Sequence, residues 1–186
     1  MSDLLASALS ELSKPHYDDG DPGQEATRRL ILDYVETHRG DALFRSPLSS
    51  HVTASCFVFN EDRSHILLSL HRKGRFWVQF GGHLESGDGT LYQAALRELR
   101  EESGVDVTVL DTTGVVEFDI HDLPGAFGSC RTHLDVGFVA TVGMDARLDV
   151  SPESDDLGWW PVSALPEGAV EGLDRRIARA LAVVGG

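Results

Sequence analysis

The stretch that decides the fold runs from Gly81 to Val105 and reads GGHLESGDGTLYQAALRELREESGV. It begins with paired glycines and a polar loop, and from Leu91 onward its apolar residues recur at helical spacing. On a helix that turns by about 100° per residue, three glutamates fall on the apolar side. The inward glutamates are Glu98, Glu101 and Glu102, and the outward side chains are Gln93, Arg97 and Arg100. The spacing therefore predicts a helix that carries carboxylates on its inward face.

Inward carboxylates need compensating positive charge, because leaving a buried charge unpaired costs about 3–5 kcal/mol. Two of the glutamates lie in the last turn, where the helix dipole also disfavours negative charge. Gly104 is the expected left-handed cap of this helix. The nearby arginines are expected to point away, so a divalent cation such as Mg²⁺ or Mn²⁺ is the better source of charge. The alternative interpretation, a solvated charged face, stays open at this point.

The second half of the stretch resembles the signature of the Nudix hydrolase family, G-x5-E-x7-R-E-U-x-E-E-x-G-U, where U is a bulky apolar residue. Residues 97–105 match that half without a gap. The first half departs from the signature, because five residues after Gly82 lead to Asp88 where the family has Glu. Eight residues rather than seven then separate Asp88 from Arg97. The resemblance covers about residues 50–184.

This resemblance implies a hydrolytic site that uses Mg²⁺ or Mn²⁺. The implied catalytic residues are Glu98, Glu101 and Arg97, with Glu98 or a loop carboxylate as the base and Arg97 orienting the glutamates. The implied metal ligands are Glu98, Glu101, Glu102, the carbonyl of Gly81 and Glu153. Several family members draw an extra carboxylate from outside the signature, and Glu153 in an acidic loop is the first candidate here, with Glu117 behind it.

A basic cluster, residues 71–75, stands directly before the signature in an otherwise acidic chain. Arg72, Lys73 and Arg75 are therefore candidates for binding substrate phosphates. The alternative is a solvated basic turn. His121, His133 and Asp135 are predicted to lie on the polar faces of strands rather than in the site. Of the paired tryptophans 159 and 160, one is predicted to be core and the other could flank a nucleobase.

Composition limits the classes of partner. The formal net charge of −14 argues against binding nucleic acid or an anionic membrane surface. The N-terminus is acidic with a short apolar run, unlike a signal peptide, and no apolar run approaches a membrane span. Neither Cys56 nor Cys130 is in a CxxC motif or near a ligand-spaced histidine pair, so no zinc site is predicted. Two reduced thiols in a cytoplasmic protein are expected.

The order of predicted elements indicates an α/β fold. Helices are predicted over residues 3–13, 24–38 and 172–184, and a hairpin over residues 52–70. Further strands are predicted over residues 105–110, 114–120 and 133–142. The Nudix resemblance implies an α/β/α sandwich with a mixed sheet. We expect an N-terminal helical extension, residues 1–48, and a Nudix domain, residues 49–186. The extension could cap the domain, form a homodimer or cover the active site.

The implied activity is hydrolysis of a diphosphate linkage in a nucleoside diphosphate derivative or a related small phosphorylated molecule. The sequence does not identify which one. One alternative is a non-catalytic sensor that binds a nucleotide sugar, although such proteins usually carry a DNA-binding domain or a degraded signature. A second is an isoprenyl diphosphate isomerase, which has a catalytic cysteine immediately before the Gly-His pair. That position is Gly81 here, which weighs against the isomerase.

Overall fold

The computed structural model describes residues 3–15, 22–45, 47–107, 109–111, 114–123 and 130–185. The helices of this part of the chain are α1 (Asp3–Ser13), α2 (Pro22–His38), α3 (Leu91–Ser103) and α4 (Leu173–Gly185), with a 3₁₀ helix at Arg39–Leu43. The strands are β1 (Ser50–Phe59), β2 (His65–His71), β3 (Phe76–Val78), β4 (Phe80–His83), β5 (Glu117–Asp122), β6 (Thr132–Thr141) and β7 (Ser154–Pro161).

The strands form one mixed sheet with β1 near its centre. The sheet order is β3-β2-β1-β6-β5, while β4 pairs with β1 and β7 pairs with β2. β1 runs parallel to β6 and antiparallel to both β2 and β4. The signature helix α3 packs on β1 and β4. The mixed sheet that the resemblance implied is therefore confirmed.

Helices cover both faces of the sheet, as predicted. On one face, apolar residues of α1, α2 and α3 share a core with the sheet; they include Leu12, Ile31, Leu99, Val52 and Phe138. On the other face, Leu173 and Ile177 of α4 pack with Phe57 and Phe59 of β1. The result is the α/β/α sandwich. The division of the chain at residue 48 stays a prediction.

Side chains of β1 alternate between these two layers because successive residues of a strand point to opposite faces. Val52, Ala54, Cys56 and Val58 belong to the first core. The other face of the strand carries His51, Thr53, Ser55, Phe57 and Phe59. That face is thus polar in its first half and apolar in its second, and all five of these side chains are buried. The polar half lies beside the signature segment, because Thr53 to Cys56 pair with β4.

Most predicted elements are confirmed in the described part of the chain. The hairpin forms with Val58 opposite Leu67, and the predicted helices match α1, α2 and α4. The buried face of α2 departs from a simple apolar pattern, because Leu30 is 60% exposed while Gln24 is buried. Gln24 exchanges two hydrogen bonds with the backbone of Phe118, at 3.0 and 2.7 Å. A polar residue thus anchors α2 to the sheet.

The predicted strand over residues 105–110 is wrong in the residues that the structure describes, which omit residue 108. Val105 and Leu110 are buried, so the apolar residues of this segment reflect packing in the core rather than a strand. Backbone groups of this segment form hydrogen bonds with side chains instead of with a neighbouring strand. Arg100 donates to the carbonyl of Val107 at 2.7 Å, and the amide of Leu110 donates to the Tyr92 hydroxyl at 2.8 Å.

Two loops predicted from their glycine and proline residues fall largely outside the described residues. Residues 16–21 of the N-terminal loop and residues 124–129 of the loop after β5 are not described. Among the helices that are described, none combines the length and apolar character needed to cross a membrane.

Gly104 ends α3 in the left-handed conformation that was predicted. Its φ is 67°, and its amide donates to the carbonyl of Arg100 at 2.9 Å. A Cβ here would lie 2.6 Å from the Cβ of Asp149. The position therefore combines an unfavourable backbone conformation for other residues with a steric conflict.

We expect Gly104→Ala to lower the free energy of unfolding by more than the roughly 1–2 kcal/mol of a left-handed non-glycine residue. Gly168→Ala is the matched control, because Gly168 has a φ of 79° but nothing within 4 Å of a new Cβ. Urea denaturation of both variants gives the comparison. Equal losses would show that the contact with Asp149 carries no energy.

Candidate active site

The position of the glutamates follows from the two caps of α3. Thr90 is the N-cap, and its hydroxyl accepts a hydrogen bond from the Gln93 amide at 3.0 Å. Gly104 closes the other end. Between these caps the helix presents Glu98 and Glu102 toward β4, whereas the side chain of Glu101 is 58% exposed. The inward prediction is thus right for two of the three glutamates.

The paired glycines lie against these carboxylates. The amide of Gly81 donates to Oε2 of Glu102 at 2.9 Å. A Cβ on Gly82 would lie 2.8 Å from Oε1 of Glu98, and a Cβ on Gly81, whose φ is 151°, would lie 2.7 Å from the carbonyl oxygen of Ala54. The glycine pair therefore brings the backbone of β4 to the end of α3.

Arg97 contacts the glutamates directly, which corrects the expectation that the nearby arginines point away. Its Nη1 donates to Oε1 of Glu98 at 2.9 Å and to Oε2 of Glu101 at 3.0 Å. Its Nη2 also donates to the carbonyl of His83 at 2.9 Å. A flexible arginine reaches round the helix in a way that a helical wheel does not predict. Arg97 thus ties two glutamates to the end of β4.

Asp88 reaches Arg97 despite the extra residue in the signature loop. The two carboxylate oxygens of Asp88 lie 3.1 Å from Nε and 3.0 Å from Nη2 of Arg97, a bidentate pair. Oδ2 of Asp88 also accepts the amide of Glu85 at 2.8 Å. The extra residue in the loop therefore compensates for the shorter side chain of Asp88, and the loop carboxylate still contacts the signature arginine.

Burial and mutual repulsion raise the carboxyl pKa values of the inward glutamates. Burial is the largest cause for Glu98, whose pKa rises to about 7 although Arg97 opposes the shift. For Glu102, burial and the charges of Glu98, Glu153 and Glu101 raise the pKa to about 8, against the hydrogen bond from Gly81. Arg97 therefore does not supply all the positive charge that the cluster needs.

The glutamates line a cleft of about 1410 Å³. Predicted site residues in its wall are Gly81, Glu98, Glu101, Glu102, Arg97, Glu153 and Arg75. Arg72 and Lys73 line a smaller adjoining cavity that shares His83 and Glu153 with the cleft. Arg72 is also paired with Asp155, its Nε lying 2.7 Å from Oδ1. The structure thus brings Glu153 to the signature glutamates and separates the three basic candidates.

The donor set fits a hard divalent cation. Three carboxylates of α3, a fourth from Glu153 and the backbone at Gly81 line the same cleft, and the charge of Glu153 acts on both Glu98 and Glu102. Oxygen donors of this kind suit Mg²⁺ or Mn²⁺. The raised pKa values of Glu98 and Glu102 indicate the same need, because a cation would stabilise their ionised forms.

Glu117, the second choice for a metal ligand, lies in a different cluster. It is fully buried and pairs with Arg176 of α4, whose Nη2 lies 2.8 Å from Oε2 of Glu117. The same Nη2 lies 2.6 Å from Oδ2 of Asp135, and Asp135 accepts hydrogen bonds from Thr53 and Ser55. Neutralisation by Arg176 makes Glu117 unsuited to ligate a cation.

The sequence analysis missed this network, although a signal was present. Arg176 stands between Leu173 and Ile177 on the apolar stripe of α4, where an arginine needs a buried partner. His121, His133 and Asp135 lie on β5 and β6, as predicted, but all three also line the cleft.

Cys130 lies among histidines, contrary to the sequence analysis. Its Sγ is 3.4 Å from Nε2 of His51, 3.8 Å from Nε2 of His83 and 3.2 Å from Nε2 of His133. The distances in sequence from Cys130 to His51 and His83 concealed this cluster. Cys56 is buried in the core, as predicted.

The tryptophan prediction is half right. Trp159 packs against the first core. Trp160 packs against the second, edge-on to Trp77 with ring centroids 5.4 Å apart. Phe76 lines the cleft and stacks on His71, so it is the better candidate to contact a base.

We expect Arg176→Met to lower the free energy of unfolding by about 3–5 kcal/mol, because it leaves Glu117 and Asp135 buried without their cation. Arg175→Met is the control on the same helix, since Arg175 is exposed and should change stability by less than about 0.5 kcal/mol. Urea denaturation measures both. Similar small losses would contradict a structural role for the network.

The metal-free protein should lose stability as pH rises from about 6.5 to about 8, above the range in which the lowered pKa values of His51 and His133 give the opposite trend. The raised pKa values of Glu98 and Glu102 mean that the folded state keeps protons that the unfolded state has already released. Melting temperatures measured in EDTA across this range test the sign. Glu102→Gln should flatten the decline, because glutamine does not titrate. An unchanged slope in that variant would contradict the assignment.

Comparison with known proteins agrees with the geometry. A family model of the NUDIX domain matches residues 49–181. The octanoyltransferase of Myxococcus xanthus is 29% identical over 163 residues, covering 86% of this chain and 43% of that protein. The dihydroneopterin triphosphate diphosphatase of Escherichia coli K12 is 33% identical over 86 residues, covering 43% of this chain and 54% of that protein. The chain thus spans about half the length of these curated relatives.

Among solved structures, a hydrolase of the NUDIX family from Clostridium perfringens superposes with a TM-score of 0.55 at 24% identity. The match covers 72% of this chain and 97% of that structure, and it supports the fold. The domain match covers most of the chain, and the matching half of the signature lies on α3 and its cap. The chain belongs to the Nudix hydrolase family.

Proposed function

We propose that this Nudix protein is a divalent-metal-dependent pyrophosphohydrolase that cleaves a diphosphate linkage in a nucleoside diphosphate derivative or a related small molecule. The observation that carries the proposal is the convergence of Glu98, Glu101, Glu102 and Glu153 in one cleft. The raised pKa values of Glu98 and Glu102 show that this cluster needs more positive charge than Arg97 supplies. The diphosphatase relative acts on a compound of the same general class.

The proposed metal ligands come from α3, from β4 and from the acidic loop before β7. Glu98, Glu101, Glu102, Glu153 and the Gly81 carbonyl would hold Mg²⁺ or Mn²⁺. When bound, the cation supplies charge to phosphate oxygens and acidifies a water.

Glu98 is our candidate base, because a pKa of about 7 lies near the working pH of a general base. Arg97 positions Glu98 and Glu101 through its Nη1 contacts.

The substrate would lie across the cleft from the glutamates to the basic turn. A volume of about 1410 Å³ exceeds the roughly 300–1,000 Å³ of ordinary small-molecule sites, so a nucleotide-sized ligand fits. Arg75 lies in the cleft wall and is the leading phosphate ligand. Arg72 and Lys73 would act from the adjoining cavity. The transferase name of the other relative is not carried over, since less than half of that protein is matched.

Two alternative functions predict different results when candidate substrates are added. A nucleotide-sugar sensor would bind without turnover. An isoprenyl diphosphate isomerase would release no phosphate, and it would need a cysteine where this chain has Gly81. The three glutamates in the second half of the signature, Glu98, Glu101 and Glu102, are all present and favour the hydrolase. A cytoplasmic location and a homodimer formed through the N-terminal helices remain predictions.

The test is phosphate release across a panel of nucleoside triphosphates, dinucleoside polyphosphates, nucleotide sugars and dinucleotide cofactors, with an added phosphatase or pyrophosphatase. Mg²⁺ and Mn²⁺ are compared. Glu102→Gln should lose metal affinity and nearly all turnover while its circular dichroism stays unchanged. Glu36→Gln, on the exposed face of α2, is the matched control.

A fully active Glu102→Gln variant would overturn the metal-ligand assignment. Binding of a panel compound without any turnover by the native protein would favour the sensor instead.

A further inference from the structure

The cluster around Cys130 joins four side chains that are far apart in sequence. His51 comes from β1, His83 from the end of β4, His133 from β6, and Cys130 from the residues just before β6. One ligand-type atom from each lies within 4.8 Å of the other three. His51 is fully buried and Cys130 is 2% exposed. Four side chains that all favour soft or borderline metals therefore meet at one point.

The distances within this cluster match a tetrahedral metal centre. With metal–sulfur and metal–nitrogen bonds of about 2.3 and 2.0–2.1 Å, tetrahedral zinc places sulfur roughly 3.6 Å from each nitrogen. The observed Sγ–Nε2 separations are 3.4, 3.8 and 3.2 Å for His51, His83 and His133. These three values bracket the expected separation closely.

Strand register explains why the cluster forms. His51 is the direct partner of His133 in the parallel β1–β6 ladder. His83 pairs with Thr53, which lies on the same face of β1 as His51. The three imidazoles therefore project from adjacent strands onto one face of the sheet, and the ring centroids lie 4.8–5.3 Å apart. The sheet itself holds the donors in place.

The surroundings also suit a closed metal site. Nε2 of the buried His51 faces the Cys130 sulfur at 3.4 Å, and in the described part of the chain its Nδ1 has no hydrogen-bond partner. His83 and His133 line the large cleft and Cys130 lines the adjoining cavity, which gives a cation a path of entry. Burial raises the pKa of the Cys130 thiol, and the charge of Arg45, in the wall of that cavity, offsets part of this shift.

We propose that His51, His83, Cys130 and His133 form a four-coordinate site for Zn²⁺ or a similar borderline-soft divalent cation, distinct from the glutamate site on α3. On binding, the Cys130 Sγ–metal bond replaces the S–H bond and the proton goes to solvent. Imidazole and thiolate donors select Zn²⁺, whereas the carboxylates of α3 select Mg²⁺ or Mn²⁺.

The site would have a structural role in the cleft. Arg97 donates to the carbonyl of His83, so a cation on the His83 ring fixes the strand end that also carries the glycine pair. The same ion holds Cys130, the first described residue after the gap at 124–129, against β1. It would therefore join the wall of the cleft to the central strand.

The direct test is the metal content of the full-length protein, purified without chelator and measured by inductively coupled plasma mass spectrometry. We expect about one zinc per chain. Replacing it with Co²⁺ should give the visible absorption of a tetrahedral centre and a near-ultraviolet charge-transfer band from thiolate to metal. A cobalt protein without that band would overturn the proposal, whatever its zinc content.

Variants separate this site from other sources of metal. Cys130→Ser should abolish the charge-transfer band, and both Cys130→Ser and His133→Gln should lower zinc affinity by at least about tenfold. Cys56→Ala is the matched cysteine control, and His121→Gln is the histidine control, because its ring lies 5.5 Å from His133 but outside the cluster. Both controls should keep the zinc and the band.

Glu102→Gln distinguishes this proposal from the proposed function. It should keep the zinc while losing turnover. Loss of zinc in Glu102→Gln with retention in Cys130→Ser would place the ion at the glutamates and overturn the proposal. Circular dichroism identifies any variant that fails to fold, and the cobalt spectrum of the native protein decides the question without variants.

Discussion

The structure depends first on the burial of mutually repelling carboxylates at the end of α3. Glu98 and Glu102 are held in a partly dry position by the close approach of the glycine pair, and burial drives their pKa values upward. Arg97 offsets part of this repulsion, and it is itself held by Asp88 and the carbonyl of His83. Loop, helix and strand end are therefore coupled through one guanidinium, and the remaining imbalance creates the demand for a cation.

The central strand divides the polar side chains of the interior into separate groups. Along one face of β1, His51 belongs to the histidine–cysteine cluster, Thr53 and Ser55 bond Asp135, and Phe57 begins the second core. Thr53 and Ser55 satisfy the carboxylate of Asp135, whereas Nδ1 of His51 has no hydrogen-bond partner in the described part of the chain. Arg176 neutralises Glu117 and Asp135, so these carboxylates do not compete with the signature glutamates for a metal.

The sequence predicted the parts of this fold that rest on local pattern. The Gly104 cap and the apolar spacing identified α3, and the strand pattern over residues 52–70 identified the β1–β2 hairpin, because both depend on residues close together in the chain. The mixed sheet came from the family resemblance. The pairing of Gln24 with Phe118 and of Arg176 with Glu117 was missed, since it depends on tertiary distances that periodicity does not encode. The helical wheel placed Arg97 away from the glutamates because it considers Cβ positions and ignores the reach of long side chains, and only the family resemblance implied the contact.

The parallel ladder between β1 and β6 also has a consequence for how the chain folds. It joins Ser50 with Thr132 and continues through Phe59 with Thr141, so every pair in it closes a loop of the same great length. Contacts of such high sequence separation form slowly, because the entropy of loop closure opposes them before any pairing compensates. During synthesis, β1 must wait for most of the chain to emerge before it gains this neighbour. Until then the hairpin with β2 is its nearby partner, and an apolar strand edge stays open to association with other chains.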